Sequence, residues 1–173
     1  MPRIGSCGLC RATAPLQESH LLPRAIYRDL RTPDLADPNP IRILRGKTDI
    51  SQAQVTAQLL CGECEQRFNK GGERYVLRNA FRGPGRFGFF DLLRNATPLP
   101  QYPSRTVYSG LSVPGLEMDR LVYFGASVFW RGSATKFRNT GRRELWFPLG
   151  DTRRIFVNFC WACRNFLSTP QSG

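Results

Sequence analysis

Apolar and polar positions alternate in some stretches of this chain and run together in others, and the change of period marks its elements. "QESHLLP" reads as a short strand that Pro23 ends, because a proline has no amide hydrogen to give to the next rung of a sheet. The "RAIYRDL" that follows has the look of a short helix. Next comes "RTPDLADPNP", a loop dense in Pro and Asp, leading into two strand-like runs, "IRILRGK" and "AQVTAQLLC", which are expected to pair as a hairpin. After Cys61, "GECEQRFNKGGERYVLRNAF" is helical in character from Glu63, with Gly71 and Gly72 placed to bend or end the first stretch. "RGPGRFGFFDLLRNATPLPQYPSR" is rich in loop residues around one turn of helix at "FFDLLRN". "EMDRLVYFGASVFWRGSATKF" is the long-helix candidate, although its nearly continuous apolar residues also admit a strand. The tail, "ELWFPLGDTRRIFVNFCWACRNFL", admits either element. No internal repeat or low-complexity segment is visible, and the mixture predicts an α+β fold.

Composition narrows this picture. A chain of 173 residues is expected to form one compact unit, and its 41% hydrophobic content, with three Trp, five Tyr and twelve Phe, is enough to build a core. The formal charge of +12, from 25 Lys and Arg against 13 Asp and Glu, favours a polyanionic partner, either nucleic acid or an anionic membrane surface. A merely well-solvated basic surface is the plainer alternative. "RLVYFGASVFWRG" has about ten apolar residues between arginines where a membrane span needs about twenty, so no membrane span is expected, and nucleic acid rather than a membrane is the expected partner. The opening "MPRIGSCGLC" lacks the apolar core of a secretory signal, which suggests a reducing, cytoplasmic setting with cysteines on metal rather than in disulfides.

Six cysteines form three C-x-x-C pairs: Cys7/Cys10, Cys61/Cys64 and Cys160/Cys163. The two-residue spacing lets both sulfurs of a pair reach one tetrahedral zinc, and the first two pairs together complete a closed four-cysteine site. A redox C-x-x-C is the competing reading for either pair, but neither follows a strand into a helix in a thioredoxin-like setting. Cys160 and Cys163 have no partner pair left and read as buried apolar residues, with a second metal site or a redox role as the alternatives.

The order C-x-x-C, then "SHLLP", then "LLCGECE" resembles the HNH branch of the His-Me finger endonucleases, in which two cysteine pairs hold a zinc that staples a ββα-metal element. Cys7, Cys10, His20, Pro23, Leu59, Leu60, Cys61, Cys64 and Glu65 carry the match. "ESHLLPRAIYRDL", "LLCGECEQRFN" and "VFWRGSATKF" together resemble an uncharacterised bacterial group of such proteins with SHLLP in place of the usual DH motif. The resemblance implies a zinc-stapled HNH-like element over residues 1–80. A mainly helical accessory region over 81–173 would pack on it as one unit.

It also implies a chemistry. In that family the histidine takes a proton from water attacking a phosphodiester, the residue before it and one on the following helix bind a divalent metal, and an asparagine orients the histidine. Carried onto this chain, His20 is the general base, and Glu65, directly after the last zinc cysteine, falls in a metal-binding slot. Hard carboxylate oxygens suit Mg or Mn in the catalytic role, beside structural Zn. Two positions depart from the pattern: Ser19 stands where an Asp or His often binds metal, and Thr56 where the asparagine is expected. Because side chains two apart on a strand share a face, Glu18 rather than Ser19 would stand beside His20. Asn69 and Glu73 lie four and eight residues past Glu65, on its side of a continuous helix. Glu65 therefore ranks first among the carboxylates, then Glu18, then Glu73, each with an ordinary solvated acid as the plain alternative. For His20 the alternatives are a structural histidine or a zinc ligand, the latter unnecessary where four cysteines are at hand.

Positive charge supplies a grip on phosphates: Arg24, Arg28 and Arg31 after the histidine, Arg67, Lys70, Arg74 and Arg78 after the second pair, and Arg82 and Arg86 on the "RGPGRFGFF" loop. Phe87, Phe89 and Phe90 read as core rather than base-stacking groups. Leu121, Val122, Phe124, Val128 and Phe129 read as the core face of the long helix, with Trp130 and Arg131 as a conceivable partner surface. The functional expectation is a one-metal endonuclease acting on nucleic acid, DNA foremost. The rival is a catalytically inactive zinc module that binds nucleic acid or protein, and a third option is a thiol redox protein using Cys160 and Cys163.

Overall fold

In the computed structural model the described residues are 3–29, 41–44, 47–50, 54–80, 87–100, 104–135, 137–138 and 144–145. The loop expected after the first helix and the Cys160/Cys163 pair lie outside them. Among the described residues the protein is α+β: strands β1 (Ile4–Ser6), β2 (Thr13–His20), β3 (Ile41–Leu44), β4 (Lys47–Ile50), β5 (Thr56–Cys61), β6 (Phe137–Arg138) and β7 (Glu144–Leu145), with helices α1 (Arg24–Asp29), α2 (Gly62–Phe68), α3 (Arg74–Ala80), α4 (Gly88–Leu93) and α5 (Met118–Ala134). The main sheet is antiparallel in the order β1-β2-β5-β6-β7, with its last two members only two residues long, and β3 and β4 form a separate hairpin.

This pairing corrects one expectation. β5 does not form a hairpin with "IRILRGK"; it pairs with β2, from Leu16 opposite Cys61 to His20 opposite Thr56, while β3 pairs with the unforeseen strand "KTDI". Two reasons combine. Only Arg45 and Gly46 separate β3 from β4, so that closure is entropically cheap. Pairing β5 with β2 also sends Leu59, Leu60 and Cys61 into one buried cluster with Cys7, Leu9 and Leu16.

Along β2 the register slips between Gln17 and Glu18. Leu16 is buried, so strict alternation would turn Glu18 and His20 toward the core as well. The irregularity changes the phase: Ser19 becomes the buried residue and Glu18 is exposed. Beyond the strand, buried Pro23 leads into α1.

The glycines after Cys61 neither end nor break the helical path. α2 continues through a π-helical segment, Asn69–Glu73, directly into α3. A Cβ on Gly71 would run into the Tyr123 ring, and one on Gly72 would lie 2.8 Å from both the Arg120 oxygen and the Phe124 nitrogen. These residues are glycine because α5 crosses there with almost no gap. The Phe68 ring meets the edges of Tyr123 and Trp130 at centroid distances of 6.0 and 5.4 Å, tying α2 to α5 in the core.

The buried face of α5 is Tyr123, Ala126, Ser127 and Trp130, at helical spacings of three and four. Val122 and Phe129, expected in the core, are exposed, because the crossing at Gly71 and Gly72 sets the helix's rotation. Leu121 and Phe124 are half-buried and pack with Phe89 against a smaller cluster of Tyr75, Val76 and Ala80. Phe87 and Phe90 are exposed rather than core, since α4 has six residues and shows the core mainly Phe89. No helix among the described residues is long and apolar enough to cross a membrane.

Candidate metal centre and adjoining cleft

Cys7, Cys10, Cys61 and Cys64 come together with their sulfurs all within 4.8 Å of one another. A knuckle shapes the first pair: the Arg11 N–H donates to the Cys7 carbonyl at 3.0 Å, the Cys7 N–H donates to the Ala12 carbonyl at 2.9 Å, and Arg11 takes a left-handed φ of 66°. The Gly8 N–H donates to the Leu59 carbonyl at 2.9 Å and locks the knuckle to β5, so that Cys61 at the strand's end and Cys64 in α2 face it. The sulfurs of Cys10 and Cys61 are 3.8 Å apart. Tetrahedral zinc with bonds of about 2.3 Å requires sulfur separations near that value, so the four residues fit a closed structural zinc site.

Burial and the surrounding N–H groups act on these thiols in opposite directions. Burial raises Cys7, but N–H groups of Cys61, Cys10 and Leu9 outweigh it and bring this thiol down to about 7. Burial raises Cys61, and raises Cys64 further with help from the Cys61 side chain and the Cys7 charge. A bound dication would offset the burial that disfavours the Cys61 and Cys64 thiolates.

Beside this centre lies a cleft of about 300 Å³, lined among others by Glu18, His20, Arg24, Glu65, Asn69, Glu73 and Arg131. The sequence-predicted His20, Glu18, Glu65 and Glu73 thus share one cavity. The His20 Nε2 lies 2.6 Å from the Gln54 Oε1. A carboxamide oxygen only accepts, so Nε2 is the donor in this contact. Ser19 is outside the cleft: it is fully buried, and its hydroxyl accepts the Leu60 N–H at 3.3 Å. Thr56 stands opposite His20 but donates its hydroxyl to the Glu18 Oε1 at 3.2 Å, leaving the imidazole to Gln54.

Glu73 is not a solvated acid. It is buried, with Oε1 2.6 Å from Nη1 of Arg131, a charge contact not aligned as a hydrogen bond. Arg131 also donates from Nη2 to the Glu65 Oε2 at 3.4 Å, and its guanidinium lies 4.8 Å over the Phe68 ring. The other Glu65 oxygen, Oε1, is buried without a hydrogen-bond partner among the described residues. An orphaned carboxylate oxygen in a cleft fits a hard cation such as Mg or Mn.

A second hollow, about 430 Å³, is lined by Arg24, Ala25, Arg28 and Gln54 and shares Arg24 and Ala25 with the first. It puts the α1 arginines next to the histidine. Lys70, Arg74 and Arg78 are exposed along the helical path after Cys61, Arg67 is half-buried, and Arg31, Arg82 and Arg86 lie outside the described residues. Sequence reasoning missed Arg131 as a cleft residue and Gln54, which lines the second hollow, as the partner of His20. A signal for Arg131 was present, since a charge inside an apolar helical run must find partners if it is buried. Gln54 carried no comparable mark. No family model, curated protein or solved structure matches the chain.

Proposed function

We propose that the chain is an HNH-type endonuclease whose zinc-stapled ββα-metal element, β2-β5-α2, hydrolyses DNA phosphodiester bonds with one divalent cation and His20 as general base. The observation that carries this reading is the cleft itself: the chain's single histidine, its ring fixed by Gln54, shares a cavity with three carboxylates beside a four-cysteine centre. Three acids and two arginines leave that cavity short of positive charge for a phosphate, and a divalent cation makes up the deficit.

In the proposed reaction, Gln54 holds Nε2, and Nδ1 of His20 takes the proton of the attacking water. Glu65 would hold a divalent cation, which when bound would neutralise charge developing at the phosphorus and the leaving oxygen. Glu18, braced by Thr56, borders the same space, and Arg24 and Arg28 bind phosphates next to the scissile one. The basic chain adds a sequence-independent attraction to the polyanion.

Supercoiled plasmid with Mg or Mn tests this. Nicking is expected, to be lost in EDTA and reduced about 10²–10⁴-fold by His20→Ala, which retains zinc and fold. Undiminished cleavage by a folded His20→Ala protein refutes the proposal. The second reading, a non-catalytic zinc module binding nucleic acid or protein, is favoured by one observation: Arg131 engages both Glu65 and Glu73. Plasmid binding without nicking selects it.

A further inference from the structure

Arg131 lies in α5, far along the chain from the histidine and the cysteines, yet it is 2% exposed and lines the cleft. A buried guanidinium that faces a phosphate site suggests a phosphate clamp. The charges argue otherwise. Two carboxylates already face it, so the group as a whole is negative and does not attract an anion. The two contacts also differ: Glu73, with its side chain 9% exposed, meets Nη1 at 2.6 Å, whereas Glu65, 25% exposed, meets Nη2 at 3.4 Å through Oε2 alone.

We infer that Arg131 is a positioning residue: a resident counter-ion bound firmly to Glu73 and loosely to Glu65, which holds Glu65 at the cleft wall with its buried Oε1 left without a hydrogen-bond partner, for a divalent cation to take. The inference rests on the hydrolytic reading of the cleft and deepens it, because it separates the roles of the two glutamates. Without Arg131, two acids would lie close together with no internal cation, and an added dication would settle between them instead of beside His20. Phe68 under the guanidinium and the tight crossing of α5 over Gly72 fix the arginine, so the spacing is set by the core and not by the loop of a flexible side chain.

The measurement is Mn2+ affinity of the zinc-loaded protein, read by electron paramagnetic resonance of free Mn2+, alongside plasmid nicking. Arg131→Met is expected to bind Mn2+ several-fold more tightly while nicking falls about 10–100-fold, and Arg131→Lys to recover part of both. A general loss of structure would weaken both readouts together, so unchanged or weaker Mn2+ binding by a folded Arg131→Met protein overturns the inference. Glu73→Gln provides the opposite arm: Arg131 then turns to Glu65, and Mn2+ affinity drops. Unchanged Mn2+ affinity in Glu73→Gln overturns the inference even where Arg131→Met fails to fold. A wild-type protein that binds Mn2+ but does not nick defeats the nuclease reading alone, since the two affinity shifts still decide the role of Arg131; one that binds no Mn2+ overturns both.

Discussion

Two glycines on facing helices make opposite predictions for the same substitution. At Gly72, an added methyl would lie 2.8 Å from the Arg120 oxygen and the Phe124 nitrogen and 2.9 Å from the Phe124 Cα, all backbone atoms, so no rotamer change relieves it. α5 must retreat by about 0.6 Å to reach even 3.4 Å, the near edge of ordinary contact. Overpacking of this kind costs about 2–3 kcal/mol, and the better helix propensity of alanine returns about 1, leaving a net loss of about 1–2 kcal/mol. At Gly125, inside α5, an added methyl meets nothing within 4 Å, and the propensity gain of about 1 kcal/mol stands alone. Thermal unfolding at saturating zinc should therefore separate Gly72→Ala from Gly125→Ala by about 4–12 °C, for a chain of this size. Because α5 carries Arg131, plasmid nicking should fall with Gly72→Ala and hold with Gly125→Ala. Equal melting temperatures, or a Gly72→Ala protein more stable than wild type, would show that the helix crossing is looser than described and that α5 does not set the cleft wall.

Other residues give further tests. Gln54→Ala leaves the His20 ring unrestrained and is expected to lower kcat by about one to two orders of magnitude with little change in KM or melting temperature; a KM effect alone would assign Gln54 to substrate binding instead. Cys64→Ser removes a sulfur from the four-thiol centre, and the protein should lose zinc, measured by elemental analysis, and its cooperative unfolding transition. Burial holds the Cys61 and Cys64 thiols protonated in the absence of metal, so zinc binding must release protons. Zinc retention should thus fall as pH is lowered and recover as it is raised; an affinity independent of pH would contradict a thiolate site.

How far the sequence alone reveals this arrangement depends on the kind of information each element carries. β2, α1 and the helical stretch after Cys61 were legible, because period, Pro23 and the cysteine spacing are local signals. The company of Glu18 with His20, and of Glu65 with Glu73, followed from strand and helix geometry, and the cleft holds all four. The partner of β5 was not legible, since it is decided by which strand lets the two cysteine pairs meet, a choice made over some forty residues of chain. The extent of α5 could be read but not its phase: a nearly continuous apolar run carries no face, and the crossing at Gly71 and Gly72 supplies it. Gln54 and Arg131 escaped because each acts through a contact with a residue distant in sequence, His20 for one and Glu65 with Glu73 for the other.

The long separation between Arg131 and the rest of the cleft has a consequence during translation. When the ribosome has released residues 1–80, the histidine, the glutamates and all four zinc cysteines are already outside, but the cleft still lacks the wall that α5 brings. Until α5 docks, Glu65 and Glu73 lack the Arg131 guanidinium that lies against both of them. Synthesis through α5 therefore completes the pocket last, and whatever chemistry it hosts waits until the helix has docked.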